Sequence, residues 1–257
     1  MKTTIKLLSA LLLTSSTLAG IYEPHTIWDK QKLVTCFYSE ESHLRNTGIE
    51  SIEKAKKDFD FVPKSLSKRK RARVVKAALQ DFTPQRTGLH FVGFKDCSET
   101  RNPDVVVARA GSKIFLLDTP GFGGRAVIGQ DGVMGAHSSL GFGFFKKSGR
   151  IANVILKNVR PSTIIHELGH VAGLRHEHIH EDAQEDRNCH KFVVPLKMDE
   201  PDKLEQPYST AVFHTEYDSA SIMNYCHTFV NRRELDNGEK PILSRKDLET
   251  LKEIYPL

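Results

Sequence analysis

The sequence predicts an α+β fold with five strand candidates, three helical segments and a less regular C-terminal part. Three observations carry this. Five short runs rich in β-branched and aromatic residues lie between residues 32 and 158. Three other segments carry helical spacing or helix-start signals: 66–82, the stretch opened by Pro161 and Ser162, and 243–255. The chain has 257 residues, 39% hydrophobic and 27% charged, which is enough apolar side chain for a real core and too much for disorder.

The first twenty residues, MKTTIKLLSALLLTSSTLAG, read as a secretory signal. Lys2 and Lys6 give the positive start, Ile5 to Leu13 the apolar run, and small residues follow, with a cut expected after Ala19. The run is too short to span a bilayer, so no stable membrane insertion is expected. The product would be secreted or periplasmic. Cys36, Cys97, Cys189 and Cys226 then read as disulfide partners. Of the three pairings that four cysteines allow, Cys36–Cys97 with Cys189–Cys226 is preferred, and buried free thiols are the alternative.

The elements follow in order. KLVTCFY (32–38), LHFVGF (89–94), DVVVARA (104–110), KIFLLD (113–118) and ANVILKN (152–158) are the strand candidates. In the helix over 66–82, Ala72, Val75, Leu79 and Phe82 fall at spacings that share one face. It opens on KRKRAR (68–73), read as a solvated face, since no interleaved aromatic residue or nucleic-acid motif supports another use. A net charge of +5 is likewise too modest to argue for a nucleic-acid partner. The glycines from 121 to 143 have no phosphate-loop spacing and read as turns. The last helix, 243–255, is capped by Ser244 with Asp247 three residues on, an acidic variant of the capping box.

One segment has chemistry in its spacing. HELGHVAGLRHEH (166–178) places His166 and His170 four apart, hence on one helix face, where two imidazoles can share an ion. Gly173, three residues past His170, can adopt a left-handed backbone and end the helix sharply. The returning chain can then bring His176 to the same point. Three nitrogen ligands and one open position describe a catalytic Zn2+ site rather than a structural one. Glu167, beside His166, is placed to reach a water at the ion without binding it. Five fixed positions, His-Glu-x-x-His-x-x-Gly-x-x-His, arise by chance in a chain of this length on the order of once in ten thousand. His178 and His180 extend the cluster and read as exposed.

These residues resemble the metzincin metallopeptidases, which pair this histidine motif with a methionine-containing turn farther along. YDSASIMNYC (217–226) supplies the turn, with Met223 as its packing residue beneath the metal. Tyr225, two residues on, and Glu177, after the third histidine, make the resemblance astacin-like. The sequence departs from the astacin pattern at Leu174, where phenylalanine is usual, at His180, where arginine is usual, and at Asn224, where histidine is usual.

The resemblance implies a zincin-like fold with a mixed five-stranded sheet, an active-site helix, a methionine turn and a closing C-terminal helix. It implies one catalytic domain over residues 20–257, with lobes of about 20–173 and 174–257. It also implies one catalytic Zn2+ on His166, His170 and His176, with Tyr225 as a movable further ligand. Glu167 would be the general base and Tyr225 a donor to the developing oxyanion. The substrate would be a protein or peptide bound as an extended strand, with GAHSSLGFGFF (135–145) at the edge where it pairs. In the family, the glutamate after the third histidine helps to bind the mature N-terminus. Only about a dozen residues separate the expected cut from the first strand, so no long inhibitory pro-segment is expected. The expected activity is secreted zinc-dependent endopeptidase action. A zinc amidase on cell-wall peptides is the alternative enzyme, and a binding module with a vestigial zinc site the alternative outside enzymes. Nothing in the sequence sets an oligomeric state.

Overall fold

The computed structural model describes residues 21–22, 27–40, 63–110, 124–126, 152–177, 180–187, 212–213, 216–237 and 240–257. The expected signal at 1–19, the strand over 113–118 and the edge segment 135–145 lie outside these residues.

Strand β1 (Ile21–Tyr22) is followed by β2 (Lys32–Phe37), β3 (Pro63–Lys64), helix α1 (Lys68–Asp81), the short α2 (Pro84–Thr87), β4 (His90–Asp96), β5 (Val105–Ala110), β6 (Gly124–Ala126) and β7 (Ala152–Leu156). Then come helix α3 (Pro161–Val171), β8 (Val212–Phe213), α4 (Tyr225–Leu235) and α5 (Arg245–Ile254). The main sheet runs β4-β2-β5-β7-β6, with β3 on β5. The fold is mixed α+β, as expected, but the strand set differs. Among the described residues this sheet has six strands, of which β4, β2, β5 and β7 are parallel and β3 and β6 antiparallel. The four parallel strands are four of the five apolar runs. β3 and β6 are two and three residues long and paired through backbone, so no side-chain pattern announces them.

β2, β5 and β7 are largely buried, and their Val, Ile and Leu follow from that, whereas β4, at the sheet edge, buries only Phe91. One cluster of buried apolar side chains extends from Trp28 and Leu33 through Val105, Val154 and Ile164 to Leu251 and Tyr255. Cys36 and Cys97 are joined as expected, which ties β2 to the end of β4. Cys226 is also disulfide-bonded, and its expected partner, Cys189, lies outside the described residues.

Of the face expected on helix α1, Phe82 is fully buried just past the helix end and Val75 packs against the core, but the helix itself turns another stripe inward. Val74, Ala77, Ala78 and Asp81 point inward, while Leu79 is 54% exposed and Ala72 is also exposed. Both stripes have helical spacing, so periodicity alone does not choose between them. Two facts of the packing do. Small side chains let α1 lie close against α3. The Asp81 carboxylate accepts the backbone N–H groups of Ile242 (2.7 Å) and Leu243 (2.9 Å), which must face the core. The basic run stays largely at the surface, as expected, with two anchored members. Arg71 pairs with Asp96 at 3.2 Å and lies over the Phe37 ring, and Arg73 donates to the Val159 carbonyl.

Candidate metal centre

Helix α3 starts on Pro161, whose missing N–H costs nothing in a first turn. The next N–H, that of Ser162, goes to Asp236 at 3.1 Å, and the Ser162 hydroxyl goes to the same carboxylate oxygen. The helix ends at Gly173, with φ 97°. There the Leu174 N–H bonds the Gly169 carbonyl (3.0 Å) and the Gly173 N–H bonds the His170 carbonyl (2.9 Å). This pair of bonds is the Schellman arrangement that a left-handed glycine permits. The predicted sharp turn is therefore present, and it returns the chain so that His176 faces His166 and His170.

The three imidazoles meet at one point. His170 Nε2 lies 3.0 Å from His176 Nε2, which lies 3.3 Å from His166 Nε2. All three side chains are buried. Neutral ring nitrogens brought this close, away from water, repel through their lone pairs unless something positive sits among them. Nitrogens about 2.0–2.1 Å from a tetrahedral ion stand about 3.3 Å apart, which matches these separations. The far nitrogens fix the tautomer. His166 Nδ1 meets the Ile222 carbonyl at 2.9 Å and His170 Nδ1 meets the Leu174 carbonyl at 2.8 Å. A carbonyl only accepts, so each Nδ1 carries the proton and each Nε2 presents its lone pair. Burial, then the nearby His166 and Arg175 charges, hold His176 well below the usual imidazole pKa, so it too stays neutral and able to ligate. Among the described residues this is the group of three that could hold a metal ion, and its donor set fits zinc.

Glu167 is buried on the same helix beside His166. Tyr225, the first residue of α4, stacks on His166 with ring centroids 5.3 Å apart and leans on His176 at 4.5 Å. The turn that carries Met223 runs under the site. A Cβ built on Gly169 would stand 2.7 Å from Met223 Sδ, so only glycine leaves the methionine its place. The Met223 carbonyl accepts the Glu177 N–H at 3.1 Å. The Glu177 carboxylate accepts the Asp218 N–H at 2.8 Å. Burial, with Asp247 and Asp218 nearby, pushes the Glu177 carboxyl up to about 8. Near the chain start, β1 pairs with β8, and Tyr22 bridges to Leu174 between the second and third histidines.

Several residues have roles that their spacing did not reveal. His180 is buried rather than exposed. Its Nδ1 accepts the Asp182 N–H, capping a short 3-10 helix, and its ring lies 5.9 Å from Tyr217. A side-chain acceptor is needed where that turn starts, and Tyr217, from farther along the chain, packs beside the ring. His178 lies outside the described residues. Asn224, where astacins usually have histidine, accepts the Cys226 N–H at 3.0 Å and donates to the Tyr217 hydroxyl. It thus starts α4 and places Tyr225. The spacing gives no sign of Gly169, and of Asp247 it shows only the part played in the α5 capping box, which is present.

Residues 146–255 match the family model described as Astacin, a peptidase family. Among solved structures, the chain is similar to high choriolytic enzyme 1, a hatching enzyme zinc-protease from Oryzias latipes (Medaka fish). The identity is 17% and the TM-score 0.44, over 90% of this chain and 94% of that one. No curated protein matches. The family match encloses the whole histidine motif, the methionine turn and α5. Over this stretch the chain is similar to the astacin peptidases, and with three imidazoles converged inside it as a zinc-binding group it is a zinc metalloendopeptidase with one catalytic Zn2+.

Proposed function

We propose that the protein is a secreted or periplasmic endopeptidase in which His166, His170 and His176 hold the zinc, Glu167 is the general base and Tyr225 is both a movable ligand and an oxyanion donor. The observation that carries this is the convergence of the three Nε2 atoms within 3.0–3.3 Å contacts, on a helix that also buries Glu167. When bound, zinc supplies a Lewis acid that acidifies a water and polarises the scissile carbonyl. Glu167 would take a proton from the attacking water and deliver it to the leaving amine. The Tyr225 hydroxyl donates to the oxygen that gains charge during attack. The polypeptide substrate binds extended, as a further strand beside the cleft.

The extracytoplasmic reading rests on the charged and apolar pattern of residues 1–19 and on the Cys36–Cys97 disulfide. No helix among the described residues is long and apolar enough to cross a membrane. One buried cluster from Trp28 to Tyr255 supports reading 20–257 as a single catalytic domain.

The test is hydrolysis of an unfolded protein mixture by the purified chain beside Glu167→Ala, with the cleavage sites read by mass spectrometry. Cleavage by the wild type, absent in Glu167→Ala although that variant retains zinc, is the expected result. Equal cleavage by both proteins would overturn the role of Glu167. No cleavage by either would overturn the endopeptidase reading.

A further inference from the structure

We infer that Asp247, on α5, is a positioning residue for the zinc site: it clamps the methionine turn so that the Ile222 carbonyl fixes the His166 ring. This rests on the zinc-peptidase reading and extends it to a side chain outside the motif.

Asp247 is buried, and a carboxylate taken out of water needs partners for its oxygens. Its Oδ2 accepts the Ser244 N–H at 3.0 Å, and its own N–H goes to Ser244 Oγ at 2.9 Å. Those two bonds close the capping box of α5. A capping box asks no more of an N3 side chain. Here, however, Oδ1 also accepts from Ser221 Oγ at 2.7 Å, and Oδ2 accepts the Ile222 N–H at 3.3 Å. Both of these partners belong to the turn, 25 and 26 residues earlier in the chain.

From there the bonds continue to the ligand without a gap. Ser221 Oγ accepts the Met223 N–H at 3.0 Å. That N–H and the Ile222 carbonyl are the two ends of one peptide unit, which is planar and turns as a whole. The carbonyl end meets His166 Nδ1 at 2.9 Å. Fixing the N–H end through Ser221 and Asp247 therefore fixes where the carbonyl points. The carbonyl in turn sets the His166 tautomer and aims Nε2 at the shared point. Partners one bond removed from a metal ligand, as the Ile222 carbonyl is, typically change metal affinity about 10–100-fold when removed, and Ser221 and Asp247 act through that carbonyl.

The experiment compares zinc affinity, by competition with a chromophoric chelator, and the visible spectrum of the cobalt(II)-loaded protein. The proteins are wild type, Asp247→Ala, Asp247→Asn, Ser221→Ala and Ser244→Ala, each with its melting temperature. Asp247→Asn keeps an acceptor for the two N–H groups and a donor toward Ser221 Oγ. Ser244→Ala weakens the α5 cap and removes the Ser244 hydroxyl bond to Asp218, but leaves the bonds at Ser221, Ile222 and Met223 in place. The expected result is zinc affinity lowered about 10–100-fold and an altered cobalt spectrum in Asp247→Ala and Ser221→Ala. Asp247→Asn should stay within about threefold of wild type, as should Ser244→Ala despite its lower melting temperature. Wild-type affinity in Asp247→Ala and Ser221→Ala would overturn the proposal, as would an equal loss in Ser244→Ala that follows melting temperature. If Asp247→Ala does not fold, Ser221→Ala decides, because it leaves the α5 box whole. A wild type that takes up no zinc would instead overturn the zinc-peptidase reading itself.

Discussion

Helices α1 and α3 pack against each other, yet they are held in opposite ways. In α1, four of 14 residues are buried, Ser67 makes no cap bond, and three cations crowd the first turn against the helix dipole. In α3, ten of 11 residues are buried, five of them polar: Ser162, Thr163, His166, Glu167 and His170. A helix like α1 persists because its neighbours cover one stripe. A helix like α3 must in addition find a partner for each polar group it buries. Asp236, Ile222 and Leu174 provide such partners from outside the helix. So apolar substitutions on α1 should cost packing alone, and those around α3 should reach the chemistry.

The largest effect expected is at Tyr225, which packs on the His166 ring. Tyr225→Phe keeps the stacking and removes the hydroxyl. Steady-state kinetics should give a kcat about 10²–10³-fold lower, the loss of one oxyanion donor, with zinc content unchanged in metal analysis. An unaltered kcat would sever α3 from its stacked neighbour as a chemical unit. Next is Gly169→Ala. The new methyl would meet Met223 Sδ at 2.7 Å, and the methionine must move. Denaturant unfolding should report a loss of about 1–3 kcal/mol, the usual cost of overpacking a core.

On α1 the two candidate stripes can be separated directly. Val74→Ala, on the buried stripe, should cost about 2 kcal/mol, and Leu79→Ala, on the exposed one, less than about 0.5 kcal/mol. The reverse order would restore the face that periodicity suggested. A further effect, visible only against pH, is at Glu177, whose folded pKa of about 8 stands above the ordinary 4.5. A raised carboxyl pKa stabilises the fold fully below pH 4.5, and that contribution is lost as pH rises through 8. Glu177→Gln keeps the acceptor for the Asp218 N–H and removes the buried charge. In metal-free protein it should raise the unfolding free energy at pH 8 by on the order of 1 kcal/mol and leave it unchanged below pH 4.5, as denaturant unfolding reads it. A gain that does not vary with pH would show that the charge is not its source.

The legible features share one property, which is that their causes lie within a few residues of chain. The histidine spacing, the left-handed Gly173, the Ser244–Asp247 box and the four apolar strands are all of this kind. Helix period, helix termination and strand propensity are local rules, and the sequence carries them openly. The Cys36–Cys97 pairing crosses 61 residues, and it is a preference among three options rather than a reading from a local rule. Misread features have causes elsewhere in the chain. The α1 face is decided by Asp81 reaching Ile242 and Leu243, and His180 is buried by the turn it caps and the Tyr217 ring.

By itself, then, the sequence determined the ligand set and its chemistry, because about 3.6 residues per turn and one left-handed glycine suffice to aim three imidazoles at one point. Only the tertiary structure decided what holds them there. Ile222 orients His166, Asn224 starts the helix that carries Tyr225, Gly169 makes room for Met223, and Asp247 secures the turn from 25 residues away. Each of these depends on a hydrogen bond or a van der Waals contact that the packed chain supplies. Such contacts leave no period and no fixed spacing behind them, so they come into being only when the elements are packed.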